Sequence, residues 1–226
     1  MRVCIYITQT RSSFTIKDGM PLIESKPRSK HQERTEATQA KLLKAAEAIF
    51  TRDGFAAAKL EQIAEAAGYT RGAIYAHYKS KEDLFLDLLE QRMHHKLATM
   101  RTLLESVASP EERMEKFRAQ LLTVTCDRSW AMLLLEFKLF ALRQPKLKAR
   151  MRRLMAMLHS TSGEDFFHLL YGDVEPVKAH AMERRFSLLG SIMSAAVLES
   201  NFRPALMDEE DLKAVLVEMI EYIVRR

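Results

Sequence analysis

The stretch Leu60-Glu61-Gln62-Ile63-Ala64-Glu65-Ala66-Ala67-Gly68-Tyr69-Thr70-Arg71-Gly72-Ala73-Ile74-Tyr75 sets two short helical runs on either side of a glycine. Ala64 is small where the two helices would cross, so they can approach closely. Gly68 supplies the left-handed backbone freedom that a sharp turn needs. Ile63 and Ile74 supply apolar contacts that lock the pair against a preceding helix. This is helix-turn-helix spacing, in which the second helix is held out towards a DNA major groove. An ordinary helical hairpin has the same spacing, and the outward-facing side chains separate the two readings. Thr70, Arg71, Tyr75 and His77 cluster on the third helix, with Lys79 and Lys81 just beyond. Arginine suits bidentate contact with guanine, whereas lysine and tyrosine suit phosphate oxygens. Helix starts at Lys59 and Ser80 aim backbone N–H groups in the same sense.

Working outward, Leu42, Leu43, Ala46, Ile49 and Phe50 recur at helical spacing from Thr35 onward, and Asp53-Gly54 ends that run. A second helix is expected over Lys59 to Ala67 and a third from about Thr70 to Tyr78. Ser80, with Asp83 three residues on, reads as the cap of a long helix to about Val107. Ser109-Pro110-Glu111-Glu112 opens another, Asp127 caps one to about Arg143, and Pro145 starts the next. Gly172 and Pro176 bracket a break before a helix from Val177 to Asn201, and Asp208 with Asp211 caps a last one to Arg226. The expectation is an all-α protein of about nine helices. Residues 1–33 read as a mobile basic arm within which Met20 is an alternative start. Residues 36–96 read as the DNA-binding domain (helix-turn-helix about 59–78), and 97–226 as an effector-binding and dimerisation domain.

Charge supports this division. Eleven Lys and Arg stand against six Asp and Glu between Lys26 and Lys81, an excess equal to the whole chain's net +5. Positive charge confined to one segment is the footprint of a phosphate-binding surface. The composition has 7 glycines and 6 prolines against 13 methionines, a mix that favours helix. Cys4 and Cys126 fit neither a disulfide framework nor a zinc spacing. The other histidines (His31, His94, His95, His159, His168, His180) show no ligand spacing, so no metal or cofactor is expected. No apolar run is long enough to span a bilayer, and a cytoplasmic protein is the simplest reading. A helical-bundle enzyme is a poor alternative, because no phosphate-cradling glycine loop, nucleophile elbow or paired metal motif occurs.

The run Gly68-Tyr-Thr-Arg-Gly-Ala-Ile-Tyr-Ala-His-Tyr-Lys-Ser-Lys-Glu-Asp-Leu84 resembles the signature of the tetracycline-repressor (TetR/AcrR) family, and Ala45-Ala46, Phe50, Asp53-Gly54-Phe55 and Ile63-Ala64 resemble its first two helices. The resemblance implies a dimeric regulator, typically a repressor released from a palindromic operator by a small molecule. It implies that Thr70, Arg71 and Gly72 open the recognition helix and that Tyr75, His77 and Lys81 contact the DNA backbone, with Lys59 and Tyr78 completing the surface. Ala58 stands where the family usually has threonine, removing a capping hydroxyl worth about 1 kcal/mol.

Beyond residue 97 the reading is coarser. Trp130 to Pro145 resembles a helix of the family's sensing domains, with Glu136 alone in an apolar run. A buried carboxylate needs a partner; Arg184 or Arg185 is the structural candidate, and an effector is the other. Trp130, Met132, Glu136, Phe137, Met155 and Phe166 are candidate effector contacts, although such a stripe is more often plain core. Their chemistry implies a lipophilic effector of drug or metabolite size. The acid-free cluster Arg143, Lys146, Lys148, Arg150, Arg152 and Arg153 reads as a solvated face. Phe186, Leu189, Gly190, Met193, Ala196 and Val197, with Leu212, Val215, Leu216, Met219, Ile220 and Ile223, read as a four-helix homodimer interface. The alternative is a constitutive DNA-binding dimer whose C-terminal domain takes no ligand.

Overall fold

The computed structural model describes residues 29–125, 127–171, 184–185, 188, 191–192, 194–203 and 208–224. The described elements are all helical: α1 Lys30–Ala57, α2 Leu60–Ala66, α3 Arg71–His77, α4 Lys81–Glu105, α5 Pro110–Thr125, α6 Arg128–Leu142 and α7 Pro145–Tyr171. A helix α8 is described in parts between residues 184 and 200, and α9 spans Glu209–Val224. None of these helices is long and apolar enough to cross a membrane.

The ends of these helices follow from side chains that satisfy orphan amides. Ser80 Oγ accepts from the Asp83 N–H at 3.1 Å, Asp127 Oδ1 from Trp130 at 3.1 Å, and Asp208 Oδ1 from Glu210 and Asp211 at 2.8 and 2.9 Å. One boundary moves: α1 starts at Lys30 rather than Thr35, because Ser29 and Gln32 form a reciprocal capping box. Residues 29–33, expected to belong to the arm, are therefore cap and helix. The alternative start at Met20 lies outside the described residues, as do Cys4 and Cys126.

Two buried clusters organise the chain. The first joins Leu42, Phe50, Phe55, Ile63, Ala64, Ile74, Leu84 and Phe85 of α1–α4 to Trp130, Leu133, Phe137 and Ala141 of α6 and Leu147, Met151 and Leu154 of α7. At its centre, Phe85 stacks on Phe137 (centroids 4.1 Å), and Phe55 meets Phe137 edge-on at 4.9 Å. Each such aromatic pair adds about 0.5–1.5 kcal/mol beyond area burial. This packing runs past residue 96, so α6 and α7 share a core with the helix-turn-helix. The second cluster gathers Met100, Leu104, Phe117, Leu170, Val197, Leu212, Leu216 and Ile220 from α4, α5, α7, α8 and α9.

Candidate nucleic-acid interface

The turn between α2 and α3 is built as its residues require. Gly68 takes φ 76°, and Tyr69 N–H returns to the Ala64 carbonyl at 2.8 Å. Ile63, Ala64 and Ile74 are almost completely buried, which fixes the height of α3 on α1. Thr70 Oγ1 accepts from the Ala73 N–H at 3.3 Å and starts α3. The cap of α2 is Lys59, not Ala58: Lys59 N–H donates to Gln62 Oε1 at 3.3 Å, while Ala58 is buried. The hydroxyl missing at Ala58 therefore costs α2 no cap.

Lys59, Thr70, Arg71, Gly72, Tyr75 and Lys79 are exposed, and His77 is partly exposed. Arg71 and Tyr75 are held ready by Glu61 of α2. Glu61 Oε1 accepts from the Tyr75 hydroxyl at 3.0 Å and lies 3.3 Å from Arg71 Nε. The Arg71 guanidinium also lies over the Tyr75 ring at 5.4 Å. Its own backbone amide, the Tyr75 hydroxyl and the nearby Arg71 and Lys59 charges hold the Glu61 carboxyl below its ordinary range. A methyl group built on Gly72 would meet nothing closer than Thr70 Oγ1 at 3.9 Å. The fold itself does not need a glycine there.

Two of the expected contacts lie elsewhere. Tyr78 is buried, and its hydroxyl donates to Asp87 Oδ2 at 2.6 Å; Gln39 Nε2 of α1 donates to the same oxygen at 2.7 Å. Burial and the Asp87 carboxylate push the Tyr78 phenol well above its ordinary pKa. Tyr78 is thus a peg joining α3 to α1 and α4 rather than a surface group. Lys81 Nζ donates to the carbonyls of Phe55 (2.9 Å), Ala56 (2.7 Å) and Ala58 (3.4 Å). Its three protons are engaged within the protein. Asp87 and Glu61 escaped the sequence reading, although Asp87, alone in the run Leu84 to Leu89, carried the usual signal of a buried polar partner.

The candidate effector residues occupy different surroundings. Trp130 and Phe137 belong to the first core, Met132 is exposed, and Met155 is half-buried against that core. The side chain of Phe166 lies outside the described residues. Glu136 does not pair with Arg184 or Arg185. Its Oε2 and Oε1 accept from the Phe55 and Ala56 N–H groups, each at 2.8 Å.

Residues 42–88 match the family model for bacterial regulatory proteins of the tetR family. This segment is similar to the tetR family. The tetR-type segment is 41% identical over 61 residues to the HTH-type transcriptional regulator AcrR of Shigella flexneri, covering 27% of this chain and 28% of AcrR. It is 34% identical over 77 residues to the HTH-type transcriptional repressor KstR2 of Mycobacterium tuberculosis, covering 34% of this chain and 38% of KstR2. The match thus spans well under half the length of these relatives. Over the whole fold, a structure described as a TetR-family transcriptional regulator from Mesorhizobium loti superposes with TM-score 0.65 at 21% identity, covering 85% of this chain and 97% of that one. The transcriptional regulator FadR of Bacillus subtilis, solved with stearoyl-CoA, superposes with TM-score 0.57 at 18% identity, covering 82% and 97%. The likeness to these two structures is one of all-helical fold.

Proposed function

We propose that this protein is a sequence-specific DNA-binding transcriptional regulator, a repressor acting as a homodimer and released from a palindromic operator by a small lipophilic effector. The observation that carries the DNA reading is the face of α3. Arg71 and Tyr75 are pre-positioned, Gly72 leaves room that the fold does not use, and Lys59 and Lys79 flank them. Arg71 is assigned to a base edge, and Thr70, Tyr75, His77, Lys59 and Lys79 to phosphates. Lys81 and Tyr78 support this face from within the protein.

The dimer reading rests on apolar groups left outside both cores. Leu188 and Ile192 of α8 and Val215 of α9 are exposed, whereas Val197 of α8 and Leu212, Leu216 and Ile220 of α9 are buried. The interface is therefore assigned to the former set. Val197, Leu212, Leu216 and Ile220, expected at the interface, serve the second core of their own subunit. Phe186, Leu189, Gly190 and Met193, and the side chain of Ile223, lie outside the described residues. The effector reading draws support from FadR, a protein of like fold solved with stearoyl-CoA, and from the largely aliphatic second cluster. We assign no catalytic step.

Selection of bound duplexes from a random DNA pool tests this function. Enrichment of inverted repeats whose half-sites lie about one helical turn or a multiple apart supports it; an unenriched pool opposes it. A screen of lipophilic compounds for both thermal stabilisation and release from the selected site tests the effector.

A further inference from the structure

Gly54 breaks α1 with φ 80° and ψ 164°, a conformation essentially closed to residues bearing a Cβ. Residues 55–57 then form a single helical turn, closed by the N–H of its extended cap Ala58 to the Gly54 carbonyl at 3.4 Å. One turn of helix has orphan amides at its start, orphan carbonyls at its end and a dipole along its axis. Both ends are met by opposite charges from different parts of the chain. The Glu136 carboxylate of α6 takes the Phe55 and Ala56 amides, each at 2.8 Å. The Lys81 ammonium at the start of α4 takes the Phe55, Ala56 and Ala58 carbonyls and lies 4.8 Å over the Phe55 ring. The fit at the carboxylate end is tight, since a Cβ on Gly54 would lie 3.0 Å from Glu136 Oε2.

This turn leads directly into Lys59 and α2, so its position sets that of the helix-turn-helix. We infer that Glu136 is a positioning residue by which α6 fixes the angle of the α2–α3 pair, and hence the half-site spacing that a dimer can read. The α6 helix reaches this point from Asp127, whose carboxylate pairs with Arg92 of α4, and Arg92 pairs in turn with Glu47 of α1. A displacement of α6 that lengthens the two Glu136 bonds leaves two amides uncapped and frees the turn to tilt. The spacing clause rests on the DNA-binding reading; the clamp itself does not.

The experiment therefore has two arms, both on the full chain. In the first, hydrogen exchange is followed at the Phe55 and Ala56 amides of free wild type, Glu136→Gln, Glu136→Ala and the control Leu139→Ala, an exposed site on the same helix. Exchange at these amides should accelerate roughly tenfold or more in Glu136→Ala, the factor expected when bonds to a charged acceptor are lost. It should rise less in Glu136→Gln, which keeps one acceptor, and stay unchanged in Leu139→Ala. Unchanged exchange in both Glu136 variants overturns the clamp. In the second arm, a random DNA pool is selected with wild type and Glu136→Gln. The same half-sites with a broadened or shifted spacing support the positioning role, whereas an identical spacing distribution overturns it. If wild type selects no DNA, the DNA-binding reading fails, the spacing clause falls with it, and the exchange arm alone decides the clamp.

Discussion

Gly72 illustrates how a single residue separates what the fold needs from what a partner needs. Glycine within a helix is less favourable than alanine by about 0.5–1 kcal/mol, and nothing within the protein blocks a methyl group at this position. Gly72→Ala is therefore expected to raise the melting temperature while weakening DNA binding. A melt and a titration on the same preparation check both signs, and unchanged DNA affinity would remove the close approach we assign to α3. Arg71→Ala is expected to cost about 1–3 kcal/mol of specific binding and to relax preference at one base pair, measured by binding to a panel of single-substituted sites. The exposure of Arg71 and Gly72 is legible in the sequence because it depends on local spacing. The burial of Tyr78 is not, since it depends on Asp87 and Gln39, the latter 39 positions away in the chain. Pairings of that reach are set by packing, and no local pattern announces them.

At the scale of the helix, most boundaries followed from caps visible as residue pairs, Ser80 with Asp83 and Asp208 with Asp211 among them. The start of α1 did not, because Ser29 and Gln32 precede any apolar periodicity. Lys81 shows how a correctly located residue can have an unexpected task. As a phosphate ligand its removal would flatten the salt dependence of DNA binding by about one unit of slope. As a clamp on three carbonyls its removal should cost about 1–3 kcal/mol of stability and leave the salt slope nearly unchanged. Denaturant unfolding and a salt titration of Lys81→Ala distinguish these outcomes, and we expect the second. Phe137→Ala on α6 should cost about 3–5 kcal/mol. Phe137 is fully buried against Phe55 and Phe85, so urea unfolding should report the loss for both parts of the chain together. An effector residue lining a separate cavity would show a much smaller loss.

For the whole molecule, the family-model match ends at residue 88, but packing does not. The first core passes from α1–α4 into α6 and α7, which gives the C-terminal part a direct mechanical hold on the helix-turn-helix. Composition could not show this, because an aromatic stripe on α6 looks the same whether it lines a cavity or fills a core. The apolar groups exposed on α8 and α9 predict that the protein travels as twice its chain mass in light scattering at micromolar concentration, and that Leu188→Glu with Val215→Glu shifts it towards the monomer. A monomeric wild type would leave a palindromic operator without a matching two-fold partner. The central claim is that α3 reads base sequence. Its most direct measurement is the affinity of wild type and Arg71→Ala for a selected duplex and for an unrelated duplex of equal length, at one fixed salt concentration. The account predicts that wild type prefers the selected duplex by roughly a thousandfold or more and that Arg71→Ala loses a large part of that ratio while binding the unrelated duplex almost as before. Equal affinity of wild type for both duplexes, or a ratio untouched by Arg71→Ala, would contradict it.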